Sequence, residues 1–323
     1  MRSRNRISKI SLFLTILILF GILQYINFQS SPEKVIPEGA GETVWINTII
    51  KIIVAMGVIG LFLITIAIHR KFTKREGFHD LPDYQVTKYS QIQHISEPTD
   101  VERLIERFSP LQITVHAVTG LSILTLYVTG IPLLYPEHLG WITDLIELSK
   151  NMFLHRLAGL GLLSAAIYYL IYSLLQITYV NKDFTKNIIP TLNDIKGAIS
   201  DVLIILGKTA TKYQSNKFNW LEKVDIWSVA LFDGLIMCVT GIIIWAPWLF
   251  SSFIPNSYIL SINVLHGGFA ILSLCGILLH FYVVHLTPHR FPMDFSMFTG
   301  TVPLQEAEEE YPLWVKDISG DKS

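Results

Sequence analysis

Residues 259–286 read ILSINVLHGGFAILSLCGILLHFYVVHL, an unbroken run with no Asp, Glu, Lys or Arg. A helix needs about 20 apolar residues to cross the hydrocarbon core of a bilayer, and this run exceeds that length. It holds His266 and His280, 14 residues apart, with His285 near its end. On an α-helix that spacing is roughly 21 Å of rise and only about 40° short of four full turns, so both imidazoles face the same side. An ionisable side chain in the hydrocarbon layer is costly and marks a functional position by default.

The chain around this run is built the same way. Five more stretches reach spanning length: 7–28, 44–68, 111–134, 153–179 and 226–250. Of 323 residues, 51% are hydrophobic and only 16% charged, where a soluble domain carries about a quarter. The expectation is an all-α integral membrane protein. Lys and Arg number 25 against 26 Asp and Glu, a formal net charge of −1 that leaves no basic surface for nucleic acid. The two cysteines, Cys238 and Cys275, both lie in apolar runs, which excludes a disulfide scaffold and a thiolate metal site. No Cys-x-x-Cys-His occurs, so covalent haem attachment is excluded as well.

Of the 25 Lys and Arg, 21 fall in segments 1–9, 69–110, 181–225 and 287–323, and two in the alternate loops 29–43, 135–151 and 251–258. Excess positive charge marks the cytoplasmic side, so both termini are expected there. The first stretch follows Arg2, Arg4, Arg6 and Lys9; it reads as a retained span, with a cleaved secretory signal as the other reading. The expected organisation is an N-terminal pair of transmembrane helices (1–70), a cytoplasmic linker (71–110), a four-helix transmembrane core (111–290) and a cytoplasmic tail (291–323). Leu192, Ile195, Ile199, Val202 and Leu206 recur at helical spacing, predicting an amphipathic helix near 191–210 on the cytoplasmic face. No internal sequence repeat is evident, although the histidine positions have a symmetry of their own.

Four of the ten histidines lie well inside spans, and His285 sits at the very end of one. His116 sits near the cytoplasmic start of its span and His155 near the outer start of the next. The run 259–286 goes inward, which puts His266 near the outer face and His280 near the inner one. Depth therefore sorts them into an inner pair, His116 with His280, and an outer pair, His155 with His266. A four-helix bundle so arranged could clamp two stacked b-type haems, each iron held by two neutral imidazoles. Glycine one turn from a ligand leaves room for a porphyrin: Gly120 follows His116 by four, Gly159 follows His155 by four, and Gly276 precedes His280 by four. Packed histidines and close helix contacts would account for one such residue, but not for four matched in depth. His69, His79, His94, His138 and His289 lie outside or at the edges of the spans and are given no redox role.

Several motifs then carry a resemblance. Arg107-Phe108-Ser109 leads to His116, and His155-Arg156 opens a span; Thr240-Gly241-Ile242-Ile243-Ile244-Trp245-Ala246-Pro247 ends another. His266 and His280 are followed by Phe298-Thr299-Gly300 and Tyr311-Pro312-x-Trp314. Over 107–318, about two thirds of the chain, the sequence resembles the cytochrome b (gamma) subunits of respiratory formate dehydrogenases and their relatives in thiosulfate reductases and hydrogenases. The resemblance implies two haem b groups with the pairing reached from depth and a place in the bacterial inner membrane. It also implies a site for menaquinone or ubiquinone before the third bundle helix. Family members carry Lys-Tyr-Asn-x-Gly-Gln-Lys there; this chain has Lys217-Phe218-Asn219-Trp220-Leu221-Glu222-Lys223, keeping Asn219 while Leu221 and Glu222 replace Gly and Gln.

Quinone reduction takes two electrons and two protons, and Glu222, Asp225, Asp233 and His285 project near the inner surface at the His116/His280 level. Glu222 and Asp225 would equally suit a helix start, and His285 an interface, whereas Asp233 is an acid inside the apolar layer. Arg156, beside an outer ligand, suits a haem propionate or the outer headgroups. The chain carries no molybdopterin, nickel or iron–sulfur motif. It is therefore expected to be an electron-transfer subunit of a larger complex with its own catalytic subunit. Electrons would pass between a periplasmic iron–sulfur or multihaem cytochrome c subunit and the quinone pool. Flow from quinol outward to periplasmic cytochromes fits the same residues; a haem-free membrane anchor or a transport subunit is the reading from other classes. The two N-terminal spans have no counterpart in the family pattern and are expected to anchor or pack against a partner.

Overall fold

The computed structural model describes residues 41–74, 104–180, 187–205, 213–287, 290 and 293–319. The first expected span, 7–28, and most of the stretch read as a linker lie outside the described residues, as do His79, His94 and His289. Five helices among the described residues are long and apolar enough to cross a membrane. Polar side chains turn inward and apolar ones outward: Ser122, Thr129, Asn151, Asp233, Thr240 and Ser273 are buried, while Leu121 is 70% exposed. That inversion of the soluble pattern suits a lipid surround.

The first described helix is α1 (Gly41–Lys74). Ser109 opens α2 (Pro110–Leu134): its hydroxyl accepts from Gln112 N, the Gln112 side chain accepts from Ser109 N, and Pro110 stands where a missing N–H costs nothing. α2 stops ahead of Pro136, and a short helix α3 (Pro136–Ile146) leads into α4 (Leu148–Leu175), which loosens into a π-helical turn at Gln176–Val180. α5 (Leu192–Ile205) is amphipathic. Its polar face is tied down, Asp194 to Lys223 at 2.9 Å and Asp201 to the Trp220 indole at 3.0 Å, while Leu192, Ile195, Ile199 and Val202 stay exposed. α6 spans Trp220–Trp245, with a π-helical middle at Val229–Met237 between α-helical ends. It begins six residues before the apolar run does, because its first turn is polar and is held by an Asn219 cap. α7 (Asn256–Phe281) follows Pro255 and ends in a second π-helical turn, Tyr282–Leu286.

α1 lies along α7. Val54 and Val58 are buried against Phe269, Ile271, Leu272 and Cys275. The two helices come close because a Cβ at Gly57 would stand 2.8 Å from Leu272, and one at Gly268 would stand 3.0 Å from Val54. The second expected N-terminal span thus packs one face on the chain's own core, while Trp45, Ile52, Met56 and Leu63 stay exposed.

A small cap closes the end of the bundle that carries His116 and His280. β1 (Leu104–Glu106) pairs antiparallel with a later strand, Thr301–Pro303, placing Ile105 opposite Val302. That strand, β2, lies between α8 (Ser296–Thr299) and α9 (Leu304–Glu310), and α10 (Pro312–Ser319) completes the cap around Val302, Ala307, Tyr311 and Trp314. Arg107 N and Phe108 N both donate to Gly300 O, at 2.7 and 3.0 Å. Gly300 has φ of 78°, and a Cβ there would meet Phe108 O at 2.8 Å, so glycine is required. Three of the quoted motifs, Arg107-Phe108, Phe298-Thr299-Gly300 and Tyr311-x-x-Trp314, therefore belong to one piece of architecture.

Candidate haem-binding site

Three helices bring the four intramembrane histidines together in pairs. His155 of α4 faces His266 of α7 with ring centres 6.5 Å apart, and His116 of α2 faces His280 of α7 at 6.3 Å. A metal–imidazole bond is about 2 Å, so with roughly 1 Å more from nitrogen to ring centre, two imidazoles on one ion hold their centres roughly 6 Å apart. Both pairs have that spacing.

The hydrogen bonds also decide which ring nitrogen is free. His155 Nδ1 lies 2.9 Å from Thr129 Oγ1, and His266 Nδ1 lies 2.8 Å from Thr240 Oγ1. Each threonine hydroxyl already gives its proton to the carbonyl four residues back, Thr129 to Thr125 and Thr240 to Ile236, both at 2.7 Å. The hydroxyl can then only accept, so Nδ1 carries the hydrogen and Nε2 keeps its lone pair for a metal. His280 Nδ1 stands 2.7 Å from Asp225 Oδ2, an acceptor that fixes the same tautomer. Asn151, fully buried, donates to Thr129 O at 3.0 Å and locks α2 to α4 at this level.

Space is provided by glycine. A Cβ at Gly120, Gly159 or Gly276 would meet nothing within 4 Å. A cavity of about 670 Å³ lies between the helices, lined among others by His155, His266, Gly130, Gly159, Gly241 and Trp245. Gly130 and Gly241 seat the imidazoles themselves, since a Cβ would stand 2.9 Å from His155 Cε1 and 3.4 Å from His266 Cε1 respectively. Arg156 borders the same cavity, with its guanidinium 5.5 Å from the Trp245 ring. Opposed imidazoles with Nδ1 engaged in three of the four rings, an apolar cavity and glycine-lined walls fit a non-covalently held haem.

Sequence reasoning passed over Thr129, Thr240, Gly130 and Gly241, though a signal was present. Residues 128–131 and 239–242 both read Val-Thr-Gly-Ile, and Pro136 and Pro247 follow each at the same distance, as do His155 and His266; the offset is 111 throughout. The expectation of no internal repeat is corrected here. The outer pair is built from two copies of one helix–loop–helix pattern, while the inner pair has no such counterpart because residue 227 is Trp and residue 169 is Tyr.

The acids proposed for proton handling fall in three different places. Asn219 and Glu222 form the capping box of α6. Glu222 also accepts from Arg107 at 3.2 Å and from Tyr311 at 2.8 Å, with Arg290 at 3.7 Å, which joins the cap to the bundle. Asp225 holds His280, as above. His285 lies beside Phe281 with the rings tilted and their centres 5.6 Å apart, and its Nδ1 is buried without a hydrogen-bond partner among the described residues. Asp233 lies at mid-height, not at the end, and accepts from Ser273 at 2.5 Å. Next to the bundle, burial works against ionisation of Asp294, but hydrogen bonds from Ser296 and the charge of Arg290 outweigh it and hold its carboxyl below the usual carboxylate range.

The model of the family described as prokaryotic cytochrome b561 matches residues 107–300. Among curated proteins, the chain is 22% identical over 217 residues to the nitrate-inducible formate dehydrogenase cytochrome b556(Fdn) subunit of Escherichia coli K12, covering 67% of this chain and 92% of that one. It is 23% identical over 216 residues to the formate dehydrogenase cytochrome b556 subunit of Haemophilus influenzae, covering 67% of this chain and 83% of that one. The matched region begins at Arg107 of the cap, ends at Gly300 and contains all four paired histidines, and by it the chain belongs to the prokaryotic cytochrome b561 family, multi-pass bacterial membrane cytochromes b that take part in electron transport.

Proposed function

We propose that this chain is the dihaem membrane subunit of a respiratory oxidoreductase complex, and that it moves electrons between a redox partner at the outer face and the quinone pool at the inner face. The observation that carries this reading is the pair of opposed histidine couples at two levels, with Nδ1 engaged and Nε2 free in three of the four rings. His155 with His266 would hold the outer haem, and His116 with His280 the inner one. Each group, when bound, supplies a one-electron ferric–ferrous couple. The rest is done by the chain: Thr129, Thr240 and Asp225 orient the ligands, Gly120, Gly159 and Gly276 leave the porphyrin its space, and Arg156 neutralises a propionate at the cavity border.

At the inner end, His285 and Asp225 are the groups suited to a quinone carbonyl and its proton. Asn219 and Glu222 shape that end through the helix cap. The partner is an iron–sulfur or multihaem cytochrome c subunit with its catalytic subunit, and the names of the similar proteins favour a formate dehydrogenase type. The excess of Lys and Arg in segments 1–9, 69–110, 181–225 and 287–323 supports a cytoplasmic side for both termini and the cap. A reduced-minus-oxidised spectrum with haem quantification on the purified protein tests the reading. Two haems per chain are expected, falling to one in His116→Ala and, separately, in His155→Ala; an unchanged count in either variant refutes that pairing.

A further inference from the structure

Ser273 lies seven residues after His266 and seven before His280. Seven residues are roughly 10.5 Å of rise and about 20° short of two turns, so Ser273 faces the same side of α7 as both histidines, midway between them. Its hydroxyl donates to Asp233 Oδ1 of α6 at 2.5 Å and stands 2.6 Å from Tyr127 OH of α2. A hydroxyl has one proton to give. Since Ser273 gives its own to Asp233, Tyr127 must be the donor to Ser273. The result is a one-way chain, Tyr127 to Ser273 to Asp233, that crosses three helices and ends on a carboxylate. Ser273 and Asp233 are each 7% exposed, and Tyr127 and Asp233 both border the cavity of the outer histidines.

Two donors in series ending on one oxygen supply the hydrogen bonds that an ionised acid needs in place of water. Among the described residues no Lys, Arg or His pairs with Asp233; the buried cations Lys223, Arg107 and Arg290 are all engaged with other acids at the first turn of α6 or in the cap. A carboxylate in the apolar layer without a cation is costly. A bis-imidazole ferric haem carries net positive charge at its centre, which the ferrous form lacks, and two such centres would lie above and below Asp233.

We propose that Asp233 is the shared countercharge of the two haem levels, an anion placed midway so that it favours the oxidised state of both centres by about the same factor. This inference rests on the dihaem reading. A unit charge about 10 Å away, at an effective dielectric of about 20, changes a one-electron equilibrium roughly tenfold. Tenfold is about 59 mV for such a couple. The asymmetric partners of the ligands, threonine outside and aspartate inside, then set the difference between the haems, while Asp233 moves the two together. Tyr127 and Ser273 are positioning residues for the carboxylate.

The test is a potentiometric titration of the purified, haem-loaded protein and of Asp233→Asn, which keeps an oxygen to accept from Ser273 and removes the charge. Both midpoints are expected to rise by roughly tenfold in equilibrium constant, about 59 mV each, with two haems retained. Two haems with unmoved midpoints overturn the proposal, and so does a shift confined to one of them. Fewer than two haems in the unaltered protein fails the dihaem reading itself, an outcome separate from unmoved potentials. Should Asp233→Asn not assemble, redox-induced infrared difference spectra of the unaltered protein, labelled with carboxyl-13C aspartate, decide the matter. Asp225 touches only the inner level, so a labelled carboxylate band that responds when the outer haem is reduced supports Asp233, and no labelled band at that step overturns it.

Discussion

Replacing Thr129 or Thr240 by valine removes a hydroxyl while keeping the shape of the side chain. The carbonyls of Thr125 and Ile236 lose only the hydroxyl's bond. The Nδ1–H of His155 or His266, held at 2.9 or 2.8 Å, is left buried with nothing to accept it. An unmet buried donor costs about 1–3 kcal/mol, and about 1.36 kcal/mol is tenfold in an equilibrium. The expected loss is therefore roughly 5- to 150-fold in the hold on the outer haem, overlapping the roughly 10- to 100-fold typical when an outer partner of a metal ligand is removed. Transfer of haem to an excess of a haem-scavenging protein, followed by the change in Soret absorbance, measures the rate of loss from each level. Because the two threonines occupy equivalent places in the 111-residue repeat, the two variants should behave alike, and Thr→Ser at either position should restore the hold. Equal loss from the inner and outer levels, or no acceleration in either valine variant, would refute the argument from tautomer to ligand.

Two further outcomes follow from other features. Gly159→Leu should leave thermal stability nearly unchanged, since a Cβ there meets nothing within 4 Å, yet lower the haem count from two to one; a full complement of haem would show that the porphyrin does not lie over that turn. For Asp294, the folded carboxyl titrates below its unfolded value, so its contribution to stability is present above the unfolded pKa of about 3.9 and is lost as pH falls through the lower, folded one. Melting temperature measured below pH 4 should therefore drop more steeply for the natural protein than for Asp294→Asn; parallel curves would remove Asp294 from the account.

Much of this was readable from residues alone because membrane burial leaves few ambiguities. An apolar run must be a helix when every backbone group has to be satisfied within the segment, and His116, His155, His266 and His280 stand out against lipid-compatible neighbours. Helix starts were less legible: hydropathy begins at Ile226, but the Asn219 and Glu222 capping box starts α6 earlier. The place of Asp233 was misjudged, because counting residues inward from a helix start cannot anticipate a π-helical stretch or the Ser273 hydroxyl on a neighbouring helix. Thr129 and Thr240 escaped notice since threonine inside a membrane helix normally just bonds its own backbone; only the ring beside it reveals the second use. The cap was invisible for a different reason. Its strands are three residues each, and their partners are nearly 200 residues apart in the chain.

That separation has a bearing on how the protein is made. Arg107 emerges from the ribosome 193 residues before Gly300, which at about 5–20 residues per second is roughly 10 to 40 s. Throughout that interval its guanidinium, 3% exposed in the finished protein, lacks the Tyr311 ring that lies 4.0 Å beneath it, and its backbone N–H lacks the Gly300 acceptor. A nascent chain that stalls after its last span therefore has Arg107 paired only with Glu222 and Lys217 O, without the ring beneath it, and leaves β1 as an unpaired strand edge.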